Sequence, residues 1–213
     1  MQLPRVLKTN ALLAISMTIG LSTPALAANS TTDWTPFFKS WENACDLSDQ
    51  EALLVNLIPD YDALYKLQDR RSNKAASALG KIVLPSQYDL SIDGKLQTTF
   101  GSFDEDSVPT ENLTADSSYF DASFQVVGQY YGMPITKIGL VGGIENGVYS
   151  PYFTLDLNAD KVRKNLKKRN VTFSYEHSEF GDSDEYGNSD IGIDITPNLE
   201  YPEKTNIICD MSN

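Results

Sequence analysis

Residue types able to do chemistry are sparse in this chain, and their spacing rules out more than it supports. His177 is the single histidine, in Tyr175-Glu176-His177-Ser178-Glu179. Imidazole is the commonest general base, and Ser178 stands beside it. The two lie at the end of an alternating, strand-like run, where neighbouring side chains point to opposite faces, so they cannot form a nucleophile–base pair locally. One histidine also excludes a three-histidine zinc site. There is no Gly-x-Ser-x-Gly elbow and no Ser-x-x-Lys motif. Gly139 and Gly142-Gly143 do not lead into a helix, so they make no phosphate cradle. No cofactor is expected and no catalytic residue is assigned.

Acidic residues are plentiful, 29 in all. Two stretches offer oxygens for calcium: Asp104-Glu105-Asp106, and the run Asp182-Ser183-Asp184-Glu185-Tyr186-Gly187-Asn188-Ser189-Asp190. In the second, Asp182, Asp184 and Asp190 are the candidate ligands, with Gly187 where a sharp turn falls. It fails as an EF-hand: Tyr186 takes the fifth position and Ile193 the twelfth, where a bidentate Glu is needed. The run reads better as a solvated loop, and no metal is expected. Paired carboxylates about 5–10 Å apart could hydrolyse glycans, but so many acids mark no particular pair.

The two cysteines are read through the N-terminus. Met1 to Asn10 carries Arg5 and Lys8 and no acid, Ala11 to Leu21 is apolar, and Ser22-Thr23-Pro24 leads to the small-x-small site Ala25-Leu26-Ala27. That is the order of a secretory signal peptide, residues 1–27, and it predicts a periplasmic or secreted protein. The apolar run is too short to cross a bilayer, and no membrane span is expected elsewhere. In an oxidising compartment Cys45 and Cys209 are most simply one disulfide, closing nearly the whole mature chain and contributing about 5 kcal/mol.

Residues 28–213 then read as a single domain, helical over 34–80 and sheet-forming over 81–213. Thr35-Pro36 is placed as N-cap and first helical residue, followed at helical spacing by Phe37, Phe38, Trp41, Ala44 and Cys45. Ser48-Asp49-Gln50-Glu51 has the form of a capping box before Leu53, Leu54, Leu57 and Ile58, with Pro59 ending the helix. Further helical turns are expected over 60–67 and 72–79. Tyr88, Leu90 and Ile92, then Leu96, Thr98 and Phe100, alternate on either side of Asp93-Gly94 and predict a hairpin. After an acidic loop over 103–118, strands are expected over 120–131, 135–141 and 148–157, joined by turns at Gly132-Met133-Pro134 and Glu145-Asn146-Gly147. Asn158 caps a helix over 159–169, and Asn170 takes its left-handed C-terminal position. Strands over 171–176, 191–195 and 205–209 follow, with an acidic loop over 179–190 between the first two. Helices first and strands after predict an α+β fold: N-terminal helices packed on an antiparallel sheet, built of a meander and hairpins with one inserted short helix.

The formal net charge is −12, and −14 once a leader with two bases and no acid is removed. Such a chain repels nucleic acid and attracts a basic partner. Tyr130, Tyr131, Tyr149 and Tyr152 cluster in and around the meander, and with Asp182, Asp184 and Glu185 they form a candidate interaction surface. Lys161, Lys164, Lys167 and Lys168 make a candidate basic patch on the inserted helix, suited to the helix dipole or to an acidic partner. The expected function is binding of another protein, as an inhibitor or immunity protein for a basic envelope-active enzyme. The alternatives are a cell-wall glycan hydrolase using Asp/Glu pairs, and a small-ligand carrier.

Overall fold

A computed structural model describes residues 31–43, 45–59, 80–102, 117–144, 148–173 and 192–210. The expected leader (1–27), the helical turns at 60–67 and 72–79, most of the loop at 103–118, the turn at 145–147, His177 and the acidic loop with Asp182, Asp184, Glu185 and Asp190 lie outside the described residues. The fold is mixed α+β with a six-stranded antiparallel sheet. Its strands are β1 (Gln97–Gly101), β2 (Tyr119–Tyr130), β3 (Met133–Gly143), β4 (Tyr149–Leu155), β5 (Gly192–Pro197) and β6 (Thr205–Asp210), in the order β1-β2-β3-β4-β6-β5. Among the described residues three short α-helices accompany them: α1 (Thr35–Phe38), continued by a 3-10 turn, α2 (Glu51–Leu57) and α3 (Ala159–Lys168). Among the described residues no helix is long and apolar enough to cross a membrane.

The meander follows from alternation and one turn. Phe120, Ala122, Phe124 and Val126 bury one face of β2, while Asp121, Ser123 and Gln125 take the other. Tyr131 (φ 48°) and Gly132 (φ 71°) are both left-handed, as the mirror-image two-residue hairpin turn requires. The turn falls one residue earlier than expected, and Met133 and Pro134 already belong to β3. Tyr131 is held there by its backbone N–H, which donates to Thr35 Oγ1 at 2.8 Å.

Three expectations are corrected. Residues 88–92 are not a strand, and the chain does not reverse at Asp93-Gly94. Ile92 bridges Val126 and Gln97 pairs Ser123, so both lie along the same neighbour, β2, in one direction. Tyr88 turns inward instead and stacks on Trp34 at 4.6 Å, and a 3-10 turn over Asp89–Ser91 follows. The capping box does not form: α2 begins behind Gln50, with no side-chain cap. Gln50 is drawn into the core, where its Oε1 accepts from Trp41 Nε1 at 3.0 Å and its Nε2 donates to Phe37 O. Ser48 uses its backbone N–H on Asp46 Oδ1 instead. Finally, residues 171–173 are not strand. They close α3: Asn170 N–H donates to Lys167 O and Val171 N–H to Leu166 O, a Schellman ending with Asn170 at φ 55°.

That ending gives a prediction. Glycine occupies the left-handed region without a Cβ clash, so Asn170→Gly should raise stability by about 0.5 kcal/mol, whereas the β-branched Asn170→Val should lower it by about 1–2 kcal/mol. Urea unfolding midpoints of the two variants should move in opposite directions.

Cys45 and Cys209 are disulfide-bonded, joining the segment after α1 to β6. The core is aromatic where these elements meet. Phe153 of β4 stacks on Phe38 at 4.2 Å, with Tyr130 at 4.9 Å and Trp41 at 5.5 Å from its ring.

Candidate functional site

The register sets two chemically different sheet faces. One carries Phe100, Phe120, Phe124, Ile138, Leu140, Phe153 and Ile207, all buried. The other carries Thr99, Asp121, Ser123, Gln125, Lys137, Tyr152, Thr154 and Asn206, brought side by side by the pairs Thr99–Asp121, Gln125–Lys137, Lys137–Thr154 and Thr154–Asn206. Tyr152 lies flat on this face because Gly139, its partner across the ladder, leaves room: a Cβ there would sit 2.6 Å from the ring.

Tyr152 donates to both carboxylate oxygens of Asp121, at 2.8 and 3.0 Å. Burial pushes the Asp121 carboxyl above its ordinary value, against the opposing pull of the Tyr152 hydrogen bond and of Lys137. Burial likewise pushes the Tyr152 phenol well up, so it stays protonated and remains the donor. A carboxyl raised in the fold binds its proton more tightly there than in the unfolded chain. Its contribution is therefore complete below the unfolded value and is lost as pH rises through the folded one. Asp121→Asn keeps an acceptor for Tyr152 without the buried charge. It should raise Tm by about 2 °C at about pH 7 and by nothing at about pH 3, where the native side chain is neutral too. Calorimetry at the two pH values checks both the sign and the convergence.

Beyond Asp121 the polar face deepens into a groove of about 290 Å³. Its floor crosses four strands: Gln97 of β1, Gln125 of β2, Thr136 and Lys137 of β3, and Thr154 of β4. A bulge makes this floor. The register slips between Gln125 and Gly128 in β2 and between Ile135 and Lys137 in β3, which lets the consecutive residues Thr136 and Lys137 both line it. The rim is the β5–β6 turn, with Asn198, Glu200, Tyr201 and Lys204. Asn198 organises that turn: its Oδ1 accepts from the backbone of Glu200 at 3.0 Å and of Tyr201 at 2.9 Å. Its Nδ2 donates to Asn206 Oδ1 at 3.1 Å, the atom that also accepts from Thr154 Oγ1 at 2.9 Å. Rim and floor are thus bonded together. Lys204 Nζ sits 5.4 Å over the Tyr201 ring and 4.0 Å from Asp156.

The sequence-based candidates do not converge here. Tyr130 is fully buried on the apolar face, where burial pushes its phenol well above the ordinary value. Tyr152 is buried on the polar face, and Tyr149 packs half-buried against the core. Residues 149 and 152 differ by an odd step and project from opposite faces of the sheet. Tyr131 is half-buried, its hydroxyl donating to Glu42 Oε1 and accepting from Lys39 Nζ, both at 2.7 Å. Lys161, Lys164, Lys167 and Lys168 are all exposed on α3, with Val162 and Leu166 on its buried side. A second groove, about 470 Å³, lies where α3 ends, against Arg163, Leu166, Phe173 and Ile195, at the border of the stretch 174–191, which is not described.

Among the described residues no three His, Cys, Asp or Glu side chains gather as a metal site. The groove residues Gln97, Gln125, Lys137 and Tyr201 were missed from sequence. The signal available was the alternation that sends Asp121, Ser123 and Gln125 to one face. Comparison with family models, with curated proteins and with solved structures finds no match for this chain.

Proposed function

We propose that this chain is an exported, non-enzymatic binding protein that takes a polar ligand in the groove beneath the β5–β6 turn. The observation that carries the reading is the groove itself: a concave site with a hydrogen-bonded rim, floored by polar side chains from four strands, of which Gln97 and Gln125 make no hydrogen bond among the described residues. Rigid strands hold such groups more accurately than loops do. The apolar leader and the Cys45–Cys209 bond support export to an oxidising compartment, the periplasm or the medium. The ring contacts of Phe38 and Trp41 with Phe153 support an N-terminal helical layer on the apolar sheet face, leaving the polar face for recognition.

The test is intact mass of protein isolated from its native source under non-denaturing conditions. The expected chain begins at Ala28, contains one disulfide and carries a bound small molecule, which Gln125→Ala releases. A full-length, ligand-free chain with free thiols overturns the reading.

A second reading keeps the protein partner, as inhibitor or immunity protein of a basic enzyme. It is supported by the net charge, −14 after leader removal. Salt-sensitive association with a basic envelope protein, unaffected by Gln125→Ala, would favour it over the groove.

A further inference from the structure

We propose that the groove takes an uncharged saccharide, one or two sugar rings in extent. The inference rests on the groove being the binding site of this domain. Its volume, about 290 Å³, stands at the lower end of small-molecule sites, roughly 300–1,000 Å³. Its chemistry selects the class. The side chains of Gln97 and Gln125 are exposed and make no hydrogen bond among the described residues. A carboxamide both donates and accepts, and so does a sugar hydroxyl. Thr136 and Thr154, whose hydroxyls donate to Thr154 O and to Asn206 Oδ1, add acceptors to the same floor. A ligand with only acceptors, such as a phosphate or a carboxylate, would leave half of this inventory unused.

Charge points the same way. Of the two groove lysines, Lys204 lies 4.0 Å from Asp156. Glu200 is an exposed rim carboxylate. Lys137 and Lys204 are thus matched by Glu200 on the rim and Asp156 at its border, two cations against two anions, and the remaining attraction of the groove is neutral hydrogen bonding. Tyr201 completes the fit. It is 45% exposed in a position that lines the groove, in a turn fixed by Asn198. Lys204 Nζ stands 5.4 Å over one face of this ring, and an exposed ring edge and opposite face make a flat apolar platform for the C–H face of a pyranose.

The test is a titration followed by amide NMR, with cellobiose and di-N-acetylchitobiose as uncharged probes and digalacturonate as the charged one. The side-chain amides of Gln97 and Gln125 and the backbone of Tyr201 should shift with at least one uncharged probe, and less with digalacturonate. Tyr201→Ala should weaken that binding roughly tenfold, about 1.4 kcal/mol. Lys164→Ala, on the exposed side of α3, should leave it unchanged. Response to digalacturonate alone, or to none of the probes, overturns the inference. In that event the native-source mass separates the two claims. A ligand still released by Gln125→Ala means that the class is wrong and the groove reading stands; a chain carrying nothing removes both.

Discussion

Removing the disulfide, by Cys45→Ala with Cys209→Ala, should lower the unfolding free energy by about 4–5 kcal/mol and Tm by about 10–15 °C. The bond spans 164 residues, so it constrains the unfolded chain far more than a local bridge does. Both cysteines are buried, at 6% and 0% exposure, and they join the segment after α1 to β6, next to the edge of the sheet. Thermal unfolding of the oxidised protein, the reduced protein and the double variant checks this. The last two should coincide, well below the first. A loss under about 3 °C would mean that the apolar core alone sets the geometry.

Phe153→Ala should be the costliest single truncation in the core, at about 3–5 kcal/mol. Phe153 is fully buried on a central strand, and its ring meets Phe38, Trp41 and Tyr130 within 5.5 Å. Deleting it removes the contact shared by the N-terminal helical segment and two strands, and the surrounding rings are too rigid to collapse into the space. Phe153→Leu, which keeps most of the volume, should cost less than half as much. Urea titrations of the two variants measure the difference directly. Equal losses would show that ring stacking, not filled volume, is what matters at this position.

The parts of the fold legible in the sequence are those set by short-range physics. The strands β2, β3 and β4 are long alternating runs. Asn158 accepts from Lys161 N–H at 3.1 Å as an N-cap, and Asn170 takes the left-handed position, because capping is decided within a few residues. Val162 and Leu166, four residues apart, share one face of α3 by helical spacing, and both are buried. Where local patterns competed with the core, the core won. Tyr88 was drawn from a strand pattern onto Trp34, and Gln50 from a capping box onto Trp41. In each case burying a large ring, or satisfying a buried indole, outweighed a turn preference worth about 1 kcal/mol.

The sequence by itself determined the acidic character, the leader-like N-terminus, the pairing of two cysteines by elimination, and the three-strand meander, because composition and side-chain alternation are properties of neighbours along the chain. Only the tertiary structure decided which polar residues meet. Gln97, Gln125, Lys137, Thr154 and Tyr201 come from five separate places in the sequence. They share one groove because of strand order, a bulge between β2 and β3, and a turn that folds back over the sheet. Register across a ladder is a long-range relation, and no local spacing encodes it.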